Sequence, residues 1–303
     1  MFNAVMFHHF HGKNHPKTIG SVNKNELSKI IQYLKKNYNL LNAEQFLNKT
    51  KNNGLDPKDV CLTFDDSLKC QYDIAYPILQ KENITAFFFI YSSIFDKKTN
   101  LMEIFRDFSN KKFKKIKDFH NLFFLVFEKN FKKKFLKFKK NFPTSYLKEY
   151  KFYSVSDRKY RYARDIILEK KEYEKIMSQM MDLKKYNVNK NYNQLFMKIK
   201  HLSNLLKNKN IIGLHSHNHN VNIKKISRRQ QLVDYKKNFN FIKKNFNIRP
   251  LSASYPFGRY NSYTLKIMKN LGIKIAFLSK ENRKISKLKI GRIDHINIIK
   301  RIK

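Results

Sequence analysis

At 303 residues, with 42% hydrophobic and 15% aromatic residues, the chain has ample material for a globular core, as one large α/β domain or two smaller ones, which excludes a disordered protein. Lys and Arg number 64 against 23 Asp and Glu, and this formal charge of +41 attracts phosphate, anionic lipid or acidic glycan without choosing among them. Most of the basic residues are Lys, alongside abundant Asn, Ile and Phe, a pattern that genome-wide compositional bias also produces.

Two cysteines, Cys61 and Cys70, are too few for a disulfide framework and read as buried or incidental thiols in a reducing compartment. The amino terminus, "MFNAVMFHHF", has neither a basic leader nor a sustained apolar stretch, and nowhere do about 18 apolar residues run together. The expectation is a cytosolic protein, with contact to a membrane from that side as an option.

Short apolar runs alternate with helical patterns, the signature of parallel βα units. "NAVMFHHF" reads as a strand, and "KNELSKIIQYLKKN" as a helix with Leu27, Ile30, Ile31 and Leu34 on one stripe. "DVCLTF" as a strand, "YDIAYPILQKEN" as a helix and "ITAFFFIYS" as a buried strand complete a βαβ unit. Beyond Tyr91 the rhythm breaks into a Lys- and Phe-rich region, predicted to be a helical insertion over about 100–205 in a single catalytic domain spanning 1–303. Its lysines serve as a solvated face, or as a lid or a surface for acidic partners. After Gly213 the alternation returns with helix "RRQQLVDYKKNFNFIKKNF", strand "LSASYPF", helix "SYTLKIMKNLG" and strand "IKIAFLS", and Gly272 suits a helix C-terminal cap.

Three motifs fall at the C-terminal ends of predicted strands, where parallel α/β folds build active sites. Asp65-Asp66 follows "CLTF", "GLHSHNH" (Gly213 to His219) follows Ile211-Ile212, and "SYPFGRYN" (Ser254 to Asn261) follows "LSA". His215 and His219, four apart, can turn to one side and reach one ion. A carboxylate from elsewhere then completes three protein ligands and leaves a position for water, as in catalytic zinc sites. His217 has a ligand role as an alternative, but its offset of two directs it elsewhere. His8, His9 and His11 follow the first strand and either line the same mouth or serve as structural histidines.

In these residues the chain resembles the polysaccharide deacetylases, the NodB-homology family of metal-dependent carbohydrate esterases. The family's T-F-D-D-G corresponds to Thr63-Phe64-Asp65-Asp66-Ser67, its H-[ST]-x-x-H to His215-Ser216-His217-Asn218-His219, and its Pro-aromatic-Gly segment to Pro256-Phe257-Gly258. The resemblance covers about residues 55–95 and 210–300 and implies a distorted (β/α)7 barrel. It further implies that Asp66, His215 and His219 bind a divalent metal, most simply Zn2+, while Asp65 is the general base on the attacking water. Phe257 then offers its backbone N–H to the oxyanion, Ser216 supports the His pair, and Tyr255, Pro256 and Arg259 lie around the substrate. A histidine after a late strand protonates the leaving amine in the family, which points to His295 in "GRIDHINI".

The departures are specific. Ser254 stands two residues before the Pro, where the family often has Arg, so a partner for Asp65 has to come from Arg259 or Arg292. Ser67 replaces the usual Gly. With no Trp in the chain, the family's Trp-containing fourth motif is absent in that form. The expected activity is removal of an N-acetyl group from a sugar or glycan precursor. A nucleic-acid or anionic-surface binding protein is a competing reading, but charge alone does not predict carboxylates and histidines gathered at strand ends, so nucleic acid is not the expected partner. A catalytically degenerate member of the fold is the other alternative.

Overall fold

The computed structural model describes residues 1–302 other than 19, 97–100, 149–152, 221–222, 224–225 and 283. It divides into two compact units, one of residues 1–100 and 193–303, the other of residues 101–192.

Among its described residues the first unit holds eight strands: β1 (Ala4–Phe7), β2 (Asn39–Leu40), β3 (Asp59–Asp65), β4 (Phe87–Ile90), β5 (Ile211–Leu214), β6 (Ser252–Ser254), β7 (Ile275–Phe277) and β8 (Arg292–Asp294). Seven run in the order β7-β6-β5-β4-β3-β1-β8, all parallel, and β2 adds to the start of β3. Ile290, just before β8, hydrogen-bonds across to Ala276 and Leu278 at 2.9 Å each, so the sheet curls into a nearly closed barrel. The predicted distorted (β/α)7 barrel is the fold observed.

Local chemistry explains the elements. Helix Lys24–Asn37 starts at a reciprocal cap, in which Glu26 N–H donates to the Asn23 side chain and Asn23 N–H donates to the Glu26 carboxylate, at 2.9 and 2.8 Å. Its buried stripe is Leu27, Ile30, Ile31 and Leu34. Helix Arg228–Phe246 starts at an equivalent Ser227–Gln230 cap and stops at Asn247, whose φ of 53° ends the turn. Gly272 closes helix Ser262–Asn270 with φ +79°. The first strand is shorter than predicted, because beyond Phe7 the backbone leaves the ladder and His9 and His11 bond to Val22 instead.

Inside the barrel Ala4, Cys61, Phe87, Phe89 and Phe277 form an apolar cluster, and Phe46 of helix Ala43–Lys51 packs onto it. Burial raises the Cys61 thiol well above its ordinary pKa, so it acts as a small apolar group. Gly213 is dictated by this packing: a methyl there would lie within 2.6 and 2.7 Å of the Phe89 ring and closer still to Ser252.

The second unit contains helices and no strand among its described residues. Leu101–Lys112, Ile116–Asn130, Lys132–Asn141, Val155–Tyr162 and Lys170–Leu183 bury an aromatic core that includes Phe108, Phe123, Phe127 and Phe138. The Lys- and Phe-rich stretch predicted to end near 205 is divided, since helix Ile199–Lys207 belongs to the first unit. No described helix is long and apolar enough to cross a membrane.

Candidate active site

Strand β3 is buried along its whole length and ends in the two carboxylates. At Asp66 and Ser67 the backbone turns left-handed, with φ +76° and +56°, and this turn separates two side chains that would otherwise repel each other. Asp65 is gripped by Arg292, whose Nη1 and Nη2 donate to its two oxygens at 2.9 and 2.7 Å. The Ser254 hydroxyl donates to Asp65 Oδ2 at 3.2 Å, while Arg292 also reaches Thr63 and Ser254 and donates through Nε to the Leu278 carbonyl. Arg292, at 1% exposure, is thus fully engaged, and it supplies the guanidinium that Ser254 lacks. Arg259 is elsewhere, exposed and stacked over the Phe257 ring at 5.9 Å.

Asp66 meets the histidines. His215 follows β5, and its backbone N–H is shared between Ile90 O and Asn238 Oδ1, each at 3.0 Å. Its Nδ1 donates to the Ser254 carbonyl at 2.8 Å, which leaves Nε2 as the lone-pair nitrogen, 3.3 Å from Asp66 Oδ1. His219 brings Nε2 to 3.1 Å from the same oxygen. Its backbone N–H donates to Ser216 Oγ at 3.0 Å, and its ring packs between Tyr91 and Phe257. Ser216 and His219 are both left-handed, φ +63° and +50°, so the loop is bent tightly enough to turn both imidazoles one way. Asp234, on helix Arg228–Phe246, pins the loop by accepting from the backbone N–H groups of His217 and Asn218 at 3.1 and 3.0 Å. His217 bonds to Ser92 through Nδ1, and its Nε2 lies 3.7 Å from Asp96, away from the triad.

Pro256–Gly258 form a short turn in which Phe257 is left-handed, φ +56°, and 41% exposed over His219. Gly258 has φ +63°, and any side chain there would collide with Ser279. Tyr255 lies buried with its hydroxyl donating to the Leu288 carbonyl at 3.0 Å, so its polar end serves the barrel wall.

His295 requires a correction. It is buried, its ring stacked on Phe7, with Nδ1 and Nε2 held 3.1 and 3.0 Å from the carbonyls of Met6 and Gly20. Both nitrogens face backbone carbonyls, and the ring is not brought to the carboxylates. The histidine at the mouth is His8, whose Nε2 is 3.9 Å from Oδ2 of both Asp65 and Asp66 and whose side chain is 31% exposed. His11 is tied to Ser21 by a 2.9 Å hydrogen bond.

The donor atoms of Asp66, His215 and His219 all lie within 4.8 Å of one another and all three residues are buried. Asp66 Oδ1 accepts no hydrogen bond among the described residues, which is costly for a buried carboxylate oxygen unless a cation supplies the missing partner. With a histidine tautomer already fixed by Ser254, this is a donor set that fits a divalent metal. Burial by itself raises both carboxyls. Around Asp65 it is outweighed by Arg292, His215 and His8, and around Asp66 by His219, His215 and His8, so both are held below the usual carboxylate range, Asp66 well below. His8 is lowered, because its burial outweighs the pull of the two carboxylates.

The polysaccharide deacetylase family model matches residues 52–116 and 183–276, more than half of the chain. Solved structures of the same fold include the Streptococcus pyogenes deacetylase PplD in complex with acetate, 16% identical with TM-score 0.58 over 100% of this chain and 98% of that one. IcaB from Ammonifex degensii is 12% identical, with TM-score 0.57 over 99% of this chain and 96% of its own. A de-N-acetylase from Aggregatibacter actinomycetemcomitans is 16% identical, with TM-score 0.58 over 99% of each chain. No curated protein sequence matches the chain.

Proposed function

The chain belongs to the polysaccharide deacetylase family, and from that premise we propose that it is a metal-dependent hydrolase removing an N-acetyl group from a sugar or glycan. The observation that carries the proposal is the convergence of Asp66, His215 and His219 on one point beside a separately held Asp65. Those three residues would hold a divalent cation, which when bound supplies a Lewis acid to polarise the acyl carbonyl and acidify water. Two imidazoles and one carboxylate suit Zn2+ first, and Co2+, Ni2+ and Mn2+ next. Acetate bound in the structurally similar PplD supports acetyl as the acyl group.

Asp65 is the proton acceptor in this reading. Arg292 depresses its basicity, but it also keeps the carboxylate ionised and fixes its free lone pairs, so it stands ready to take a proton from the attacking water. The water oxygen bonds to the acyl carbon, and the backbone N–H of Phe257, on the strained turn beside His219, is assigned to the developing oxyanion. The C–N bond then breaks, and His8 replaces His295 as the donor of the proton that the leaving nitrogen needs, giving acetate and a free amine. A histidine poised over both carboxylates and partly exposed at the mouth can be reprotonated between turnovers.

Of the two grounds for the degenerate-member reading, the arginine missing at Ser254 is answered by Arg292, which reaches Asp65 and Ser254 itself, while the absent Trp-containing motif stands. Acetate release from a panel of N-acetylated sugars, measured before and after chelation and after Zn2+ is restored, tests the proposal. Loss and recovery of release are expected; release unaffected by chelation, or none from any substrate in the loaded protein, would count against it.

A further inference from the structure

Outside the barrel, the helical unit carries a groove whose chemistry the deacetylase reading does not use. It encloses about 420 Å3, with Phe138, Phe142 and Val155 as apolar walls and Lys139, Arg158 and Lys159 as cations, and no acidic residue lines it among the described residues. Lys139 sits over the Phe135 ring at 4.7 Å and Lys159 over the Phe142 ring at 5.9 Å, so the charges are seated against aromatic faces at the rim. Arg158 is anchored by donating to the Thr144 carbonyl at 2.6 Å, which fixes its guanidinium in place.

The helix that supplies Phe138 and Lys139 extends this pattern. Lys132–Asn141, "KKKFLKFKKN", has six lysines and no acid, and buries Phe135 and Phe138 on one side. Lys134 is drawn off to Glu172 at 2.7 Å, and the other five stay on the outer side. Among them Leu136 is 53% exposed, at helical spacing from Lys132, Lys133 and Lys140. A large aliphatic standing in a ring of lysines gains nothing from water and nothing from a duplex backbone. It gains from the acyl boundary of a bilayer, where the lysines meet headgroup phosphates. Val155, 54% exposed at the groove, fits the same environment.

We propose that this face docks on a membrane surface containing anionic phospholipid, with one lipid phosphate held by Lys139, Arg158 and Lys159 and the apolar part of that lipid against Phe138, Phe142 and Val155. Both halves of the groove are needed: inorganic phosphate would use only the cations, and a neutral lipid only the walls.

The test uses the whole 303-residue chain and sedimentation with vesicles of phosphatidylcholine, with and without phosphatidylglycerol, at low and high salt. Binding is expected only with phosphatidylglycerol and weaker at high salt. Lys139→Glu/Lys159→Glu should lower partition by more than about 25-fold, since each basic residue at an anionic surface contributes roughly fivefold. Leu136→Asp should lower it as well, whereas Lys266→Glu/Lys269→Glu, on a barrel helix and with the same change in net charge, should leave it near wild type. Acetate release from a soluble substrate should be unchanged in all of them, which shows that they fold. Millimolar inorganic phosphate should not displace the vesicles. Equal binding to phosphatidylcholine alone, an equal loss in the barrel control, or DNA duplex binding that falls in parallel with vesicle binding would overturn the proposal in favour of nonspecific attraction by net charge.

Discussion

The guanidinium of Arg292 holds both carboxylate oxygens of Asp65, at 2.9 Å from Nη1 and 2.7 Å from Nη2, from the opposite end of the chain. Both side chains are almost wholly buried, so the pair is shielded from solvent screening. Removing one partner leaves the other as a buried, uncompensated charge. Arg292→Ala should therefore cost about 3–5 kcal/mol in urea unfolding. It should also cost on the order of 10²-fold in kcat, because a misplaced base sits wrongly for water. Adding Ser254→Arg should recover part of both losses by bringing a guanidinium to Asp65 from β6. If Arg292→Ala is as stable and active as wild type, the pair has no role in orienting Asp65.

Ser67 provides a test of strain that leaves the chemistry untouched. Its φ of +56° is unfavourable for any residue with a Cβ, and its buried hydroxyl has no hydrogen-bond partner among the described residues. Ser67→Gly removes both penalties but adds backbone freedom to the unfolded chain, for a net gain of about 1 kcal/mol. The denaturation midpoint should rise with the m-value unchanged. A midpoint that falls would mean that the serine side chain stabilises the turn in a way these contacts do not reveal.

His8 and His295 should separate cleanly. His8→Gln keeps a polar side chain at the mouth but cannot serve as a proton donor of matched acidity, so kcat should drop about 10²- to 10⁴-fold with metal content and melting temperature near wild type. His295→Gln disturbs a ring stacked on Phe7 and held between two backbone carbonyls, so it should lower the melting temperature more than kcat. The reverse pattern would restore His295 as the donor.

Asp59 controls acid stability at the foot of β3. Its carboxylate is buried; it accepts from Lys49 at 2.8 Å, Asp56 N–H at 2.9 Å and Asn39 at 3.2 Å, and Asn3 donates to its carbonyl. Burial raises this carboxyl, but those donors outweigh it and the pKa is lowered. A lowered pKa means stability that is present above the ordinary carboxylate value near pH 4 and is lost as pH falls through the folded value. Wild type should thus exceed Asp59→Asn in stability at neutral pH, and the two unfolding curves should converge as pH falls below about 4. A difference independent of pH would assign the effect to packing.

What the sequence revealed follows from where the information lies. Helices Lys24–Asn37 and Arg228–Phe246 are legible end to end because cap residues and apolar periodicity are both local. Asp65, Asp66, His215 and His219 are legible because each pair is adjacent or at one-turn spacing after an apolar run. Helix Ala43–Lys51 is not among the predicted elements, although Asn42 and Gln45 bound its start, since its buried face has only Ala43, Phe46, Leu47 and Thr50 to mark it. Asn238 and Asp234 are invisible as site residues. They stand on a helix whose pattern reads as packing, and only the fold carries them to the backbone of His215 and His217. His295 misled because chain order places it after a late strand, whereas the helix that begins there turns its ring onto β1.

The most direct measurement is metal stoichiometry alongside acetate release for wild type, Asp65→Asn and Asp66→Asn. Asparagine keeps the shape of each side chain but loses the charge, so it separates a proton acceptor from a ligand. Asp66→Asn should lose most of its metal and its activity together, because one of three protein donors is weakened. Asp65→Asn should keep its metal and lose about 10²- to 10⁴-fold in kcat. Full metal occupancy in Asp66→Asn, or metal loss with retained activity in Asp65→Asn, would contradict the division of labour between the two aspartates.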